Sequence, residues 1–187
     1  MAADYWPILD GCRICDSDRK VVSEVDDENV TNWDRSDDFI LATCIDSNSK
    51  ACTSSTFKLQ WRDTDGGSFD DVGAGTTINF NADTVLVDGA NIDEADRRCT
   101  GTGAKGLFWQ AGEEVEGDNL SDAIALADDY DTEIHWGLDC SAADYSHQYE
   151  FQVYNNTEGA IVGQAGCLLT MAAAPSVYTP QIIFTLV

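Results

Sequence analysis

An antiparallel β-sandwich behind an extended N-terminal arm is the fold the sequence predicts, and three observations carry it. Several short stretches alternate apolar and polar residues strictly, the period of a strand with one face in a core. Clusters of Gly, Asn and Asp bound those stretches as turns. The chain has 187 residues, 43% of them hydrophobic, which suits one domain with a real core, or one domain plus an arm.

Residues 1–37 are expected to form the arm. They hold an aromatic start (Tyr5, Trp6), short apolar islands (Ile8, Leu9; Val21, Val22) and acidic runs, with no apolar period long enough for a full strand. The sandwich is expected over residues 38–187. Phe39 to Ile45 is a β-rich run closed by a polar turn. Thr56 to Arg62 places Phe57, Leu59 and Trp61 on one face and Lys58, Gln60 and Arg62 on the other. Asp63 to Ser68 supplies turn residues, including Gly66 and Gly67, so that Phe69 to Val72 returns as a hairpin. Short strands are expected at 77–80, 85–87 and 107–110, a Gly-rich loop at 101–106, and a helical turn or two over 119–127. Clear β patterning resumes with Ile134, Trp136 and Leu138, then Tyr149, Phe151 and Val153, then strands from 161 to 171 and from 181 to 187. Trp61, Trp136, Tyr149 and Phe151 are assigned to the core.

Charge excludes whole classes of partner. Thirty-four acidic residues face ten basic ones, a net charge of −24. Spread over the ~9,000 Å² that a folded chain of this mass exposes, such a surface repels phosphate backbones and anionic membranes and resists non-specific sticking. No apolar run reaches the length of a membrane span. The start, Met1 to Pro7, has neither the basic nor the apolar region of a secretory signal, which predicts synthesis in a cytoplasm.

No catalytic residue, metal ligand or cofactor is predicted. His135 and His147 are the two histidines, and neither neighbours a nucleophile motif. His135 alternates opposite Ile134 and Trp136 and is expected on the solvent face. Asp63, Asp65, Asp70 and Asp71 crowd one hairpin without the EF-hand spacing, so they read as a solvated turn. The runs at Asp16/Asp18, Asp26/Asp27/Glu28 and Asp128/Asp129/Asp131 read the same way. Gly101 to Gly106 lacks the spacing of a phosphate loop.

Seven cysteines leave at least one thiol outside any intrachain pairing. Cys12 and Cys15 form a lone CxxC, read as two half-buried thiols or one redox-dependent bridge. Cys44 and Cys52 flank a turn-like segment and are placed to face each other across a hairpin; Cys140 and Cys167 are a second candidate pair. Tyr5, Trp6, Ile8, Leu9 and Trp33 lie in the arm with no core of their own, and they are the candidate partner-binding residues; the alternative is that the arm folds back onto its own sandwich.

The order of these pieces resembles a β-sandwich family of tailed-phage and environmental viral genomes. In that family a Tyr-x-Leu-x-Trp/Tyr strand leads into an Asn/Asp-Gly-Gly-x-Trp/Phe-x-x-Val hairpin, here Phe57 to Val72. A Gly-rich segment with a Phe-x-x-Gly-Glu element follows, here Gly101 to Glu114. The later pieces correspond to Glu133 to Leu138, Asp144 to Val153 and Tyr178 to Ile183. The resemblance spans about residues 38–187 and excludes the arm and the extra cysteines. It implies an immunoglobulin-like virion module: a capsid decoration protein, head fibre or tail appendage, without catalytic residues or cofactors. The implied partners are the major capsid protein and neighbouring copies of the same chain on the particle exterior. Tail, baseplate or fibre proteins binding a receptor or glycan are the alternative. A non-viral extracellular adhesion domain is the third reading. On this view, removing residues 1–33 leaves a folded sandwich that no longer binds particles.

Overall fold

The computed structural model describes residues 7–23, 25–47, 51–73, 76–80, 83–99 and 108–175. In chain order the strands are β1 (Ile8–Asp16), β2 (Val30–Trp33), β3 (Phe39–Asp46), β4 (Cys52–Ser55), β5 (Phe57–Asp63), β6 (Asp70–Asp71) and β7 (Asn79–Phe80). They continue as β8 (Asn91–Ile92), β9 (Phe108–Trp109), β10 (Gly112–Val115), β11 (Ile124–Leu126), β12 (Tyr130–Asp139), β13 (Gln148–Asn155) and β14 (Ala160–Met171). Among the described residues the helical content is one 3-10 turn, Glu94–Asp96, and no helix is long and apolar enough to cross a membrane.

Two main sheets pack together as a β-sandwich-like body. The first runs β1-β3-β12-β10-β8, with β7 and β9 also on β12; the second runs β2-β14-β13-β5-β6; β4 and β11 form a small separate pair. Pairing is mixed rather than purely antiparallel, because β10 and β9 run parallel to β12 and β2 runs parallel to β14. Parallel neighbours require long crossovers, and the long middle of the chain supplies them. The close approach of β10 to β12 needs Gly112, where a Cβ would collide with the Glu133 carbonyl.

The core between the sheets follows the alternation. Cys12, Ile14, Phe39, Leu41, Ile134, Trp136 and Leu138 from the first sheet meet Phe57, Leu59, Tyr149, Phe151, Val153, Cys167 and Leu169 from the second. Phe39 meets Phe151 edge-on at 6.0 Å. Of the expected core aromatics, Trp136, Tyr149 and Phe151 are fully buried, whereas Trp61 is half-buried against Tyr149. The continuous run of β3 is explained by burial on both faces, which removes any need for alternation.

Residues 8–37 are not an arm. β1 pairs with β3 from Ile8 to Asp16, and Cys12, Ile14 and Cys15 are wholly buried. The apolar islands looked too short because Arg13 and two cysteines interrupt them, yet every one of those side chains is covered. The open edge of β1 is closed in turn by residues 20–23 and 25–27, through Val22 N–H to Ile14 O (3.0 Å) and Asp27 N–H to Cys12 O (2.9 Å). Trp33 also turns inward: its ring lies edge-on to Phe39 at 5.9 Å and its indole N–H donates to Asp37 O at 2.8 Å. Leu9 packs on the core and Ile8 remains exposed. Tyr5 and Trp6, like the strand expected at 181–187 and the loop at 101–106, lie outside the described residues.

The segment expected to be helical is extended instead. Ile124–Leu126 pairs with β4, and residues 119–121 close part of the edge of β5. Asn119 accepts from Leu59 N–H (2.9 Å) and donates to Leu59 O (3.0 Å), and Ser121 Oγ accepts from Phe57 N–H (2.9 Å). These side chains take the place of a neighbouring strand's backbone on an edge that would otherwise invite pairing with another chain.

A disulfide joins the sheets, Cys12 on β1 to Cys167 on β14, 155 positions apart. Cys167 is therefore not paired with Cys140, and Cys44, Cys52 and Cys140 are free thiols. Cys12 and Cys15 are three apart on a strand and so point to opposite faces, which forbids a CxxC bridge. Cys44 and Cys52 are separated likewise: Cys44 contacts Cys99 on the outer face of the first sheet, while Cys52 belongs to the inter-sheet core. Replacing Cys12 and Cys167 together by Ala is expected to lower stability by about 2–5 kcal/mol, since the bridge closes most of the chain into one loop. Urea midpoints of wild type and variant, each with and without reductant, check this.

Candidate functional site

β12 carries three polar residues on the face away from the inter-sheet core: Asp131, Glu133 and His135, each two positions apart. The alternation places His135 opposite Ile134 and Trp136 as expected, but that face is not solvent. Residues 93–99 cover it, and Glu133 and His135 are both wholly buried. Glu133 accepts from Cys99 N–H (2.8 Å), Arg98 N–H (2.9 Å) and His135 Nε2 (2.8 Å), with Arg97 Nε at 3.5 Å. Arg97 also pairs with Asp131, and its guanidinium lies over the Trp109 ring. A buried carboxylate needs this many donors to remain charged.

The thiols beside this cluster are not activated. Burial pushes Cys15 up to about 12, and burial followed by the Glu133 charge raises Cys99 well above the ordinary thiol value. Burial and then Glu133 raise Cys44 as well. A thiol held neutral in this way behaves as a small apolar side chain. The cluster therefore braces the outer face of the first sheet.

The second constellation lies at the end of the other sheet. β5 ends at Asp63, which is paired across the ladder with Tyr149, so His147 comes to stand beside it. His147 Nδ1 is 2.5 Å from Asp63 Oδ2. Asp63 Oδ1 accepts from Asp65 N–H at 2.8 Å, which shapes a turn completed by Gly66 and Gly67 at positive φ. The hydrogen bond His147 donates to Asp63 raises His147 and burial opposes it; burial works upward on Asp63, but the His147 bond and charge together with the Asp65 N–H outweigh it and hold Asp63 low. One ligand atom from each of Asp63, Asp65 and His147 lies within 4.8 Å of the others. The sequence showed the aspartates as a hairpin cluster, but His147 is 84 positions from Asp63.

A third feature is an open cleft of about 310 Å³ between the edge of the first sheet and β11, lined by Asn91, Gln110, Gly112, Glu113 and Asp122 among others. Its described walls offer carboxylates and amides but no basic group and no hydroxyl or thiol nucleophile. Glu113 is held by Asp122 N–H at 2.8 Å, and burial raises its carboxyl above the ordinary range.

Burial also raises Asp27, although Cys12 N–H bonds to it at 3.0 Å. Asp27 and Glu113 thus bind protons more tightly in the folded chain than at their ordinary values of 3.8 and 4.5. Their contribution to stability is greatest below those ordinary values and is lost as pH rises through the raised ones. Asp71 acts oppositely: burial raises it, but Lys58 and Gln60 outweigh that and lower it, so its contribution disappears only in stronger acid. The contribution of Asp27 and Glu113 to the melting temperature is accordingly expected to fall as pH rises from their ordinary values through the raised ones. Scanning calorimetry of wild type and D27N/E113Q checks this; a wild-type advantage over the variant that does not fall with rising pH would contradict it.

Comparison with protein-family models, with curated proteins and with solved structures finds no match to this chain.

Proposed function

We propose that the chain is a structural protein of a virus particle, a decoration protein seated on the outside of the major capsid lattice beside other copies of itself. The observation that carries the reading is a strongly acidic two-sheet body whose buried polar groups serve as internal bracing. A net charge of −24 suits an exterior position away from packaged nucleic acid. The inter-sheet disulfide and the closed strand edges suit a module that stays folded outside a cell. The order of motifs from Phe57 onward supports an immunoglobulin-like virion module. Because β1 and β2 belong to the body, docking is assigned to Tyr5, Trp6 and the exposed Ile8, whereas Leu9 and Trp33 pack against the core. Many symmetric copies would add avidity to a small contact.

Immunogold labelling of purified particles tests this: dense label over the capsid exterior is the expected result, and label confined to infected-cell cytoplasm would overturn it. A tail, baseplate or fibre role in binding a receptor or glycan is the second reading, favoured by the polar cleft at Asn91, Gln110, Glu113 and Asp122. Copy number separates the two, with hundreds per particle for decoration and multiples of three or six for a tail part.

A further inference from the structure

We propose that Asp63, Asp65 and His147 form a binding site for a divalent transition-metal ion of the zinc type at the end of the second sheet. The donor set is mixed, two carboxylate oxygens and one imidazole nitrogen, with the three ligand atoms mutually within 4.8 Å. That composition separates it from the carboxylate-only runs such as Asp16/Asp18 or Asp128/Asp129. Imidazole favours zinc and its neighbours over calcium and magnesium, which prefer six or more oxygens. Three protein donors leave a coordination position for water, as in open zinc sites.

The donors come from two turns that are stapled together. Thr64 N–H donates to Gln148 O at 2.9 Å, which fixes the turn after β5 against the start of β13. Met171 N–H donates to His147 O at 2.9 Å, which fixes the backbone that carries the imidazole. Supported donors of this kind arrive near their binding geometry. In the metal-free chain His147 and Asp63 meet directly at 2.5 Å, and an entering ion would take the place of the proton between them. The ring and the Asp63 carboxylate are 38% and 24% exposed, so an ion has access. Arg62, adjacent in sequence, turns away from the site to pair with Glu150 at 2.9 Å.

The experiment is titration calorimetry of the chelator-treated full chain with Zn²⁺ in an excess of Mg²⁺, which masks weak binding to the acidic surface. One saturable equivalent is expected, weakened at least about tenfold by H147A and by D65N. In parallel, the His147 ring resonances should shift on Zn²⁺ addition while those of buried His135 do not. Absence of a saturable equivalent, or affinity unchanged in H147A, would overturn the site. Thermal melts establish that the variants fold. If H147A does not fold, D65N and the wild-type ring resonances decide: no weakening and no shift would overturn the proposal.

Discussion

Deletion of residues 1–33 is expected to leave a chain that does not fold. The deletion strips β1 from β3, exposing a strand that is buried on both faces and carries Phe39, Ile40, Leu41 and Ile45. It removes Ile14, worth about 1.5–3 kcal/mol of burial, and the inter-sheet disulfide, worth about 2–5 kcal/mol. It also removes all of β2 from the edge of β14, and with it the Trp33 ring that packs on Phe39. Those losses approach the whole 5–15 kcal/mol by which a domain is ordinarily stable. Far-UV circular dichroism with a thermal melt, and limited proteolysis, read the result. A cooperative melt in the truncated chain would mean that the body begins at residue 38 after all. The deletion therefore cannot report on particle docking; shortening only as far as residue 6 is the informative truncation for that purpose.

Replacing Glu133 by Ala is expected to cost about 3–5 kcal/mol, the range for breaking a buried ionic network by removing one member. The Arg98 and Cys99 N–H groups and His135 Nε2 all converge within about 3 Å on this wholly buried carboxylate. Arg97 would keep Asp131 but lose its second anion. Glu133→Gln should cost less than Glu133→Ala, since the amide oxygen still accepts while the charge is lost. Urea unfolding of the two variants gives the ranking. Equal losses, or a loss under about 1 kcal/mol for Ala, would show that covering by residues 93–99 does not depend on the network.

Periodicity alone was enough to place several elements of the body. Phe57, Leu59, Tyr149, Phe151, Val153 and Trp136 lie in the core because a side-chain period of two sorts residues to faces whatever the strand pairs with. The net charge and the all-β class are likewise properties of the residues themselves. Alternation, however, says which residues share a face and nothing about what covers that face. His135 was sorted to the correct side of β12, yet only the return of residues 93–99 decides that this side is buried. The same holds for β1, whose broken apolar pattern becomes a strand because β3 on one side and Val22 and Asp27 on the other flank it. Pairings across 155 positions, Cys12 with Cys167, or across 84, Asp63 with His147, depend on how two sheets close over each other. Local patterning carries no record of such closures, because they arise from the packing of surfaces that are distant along the chain.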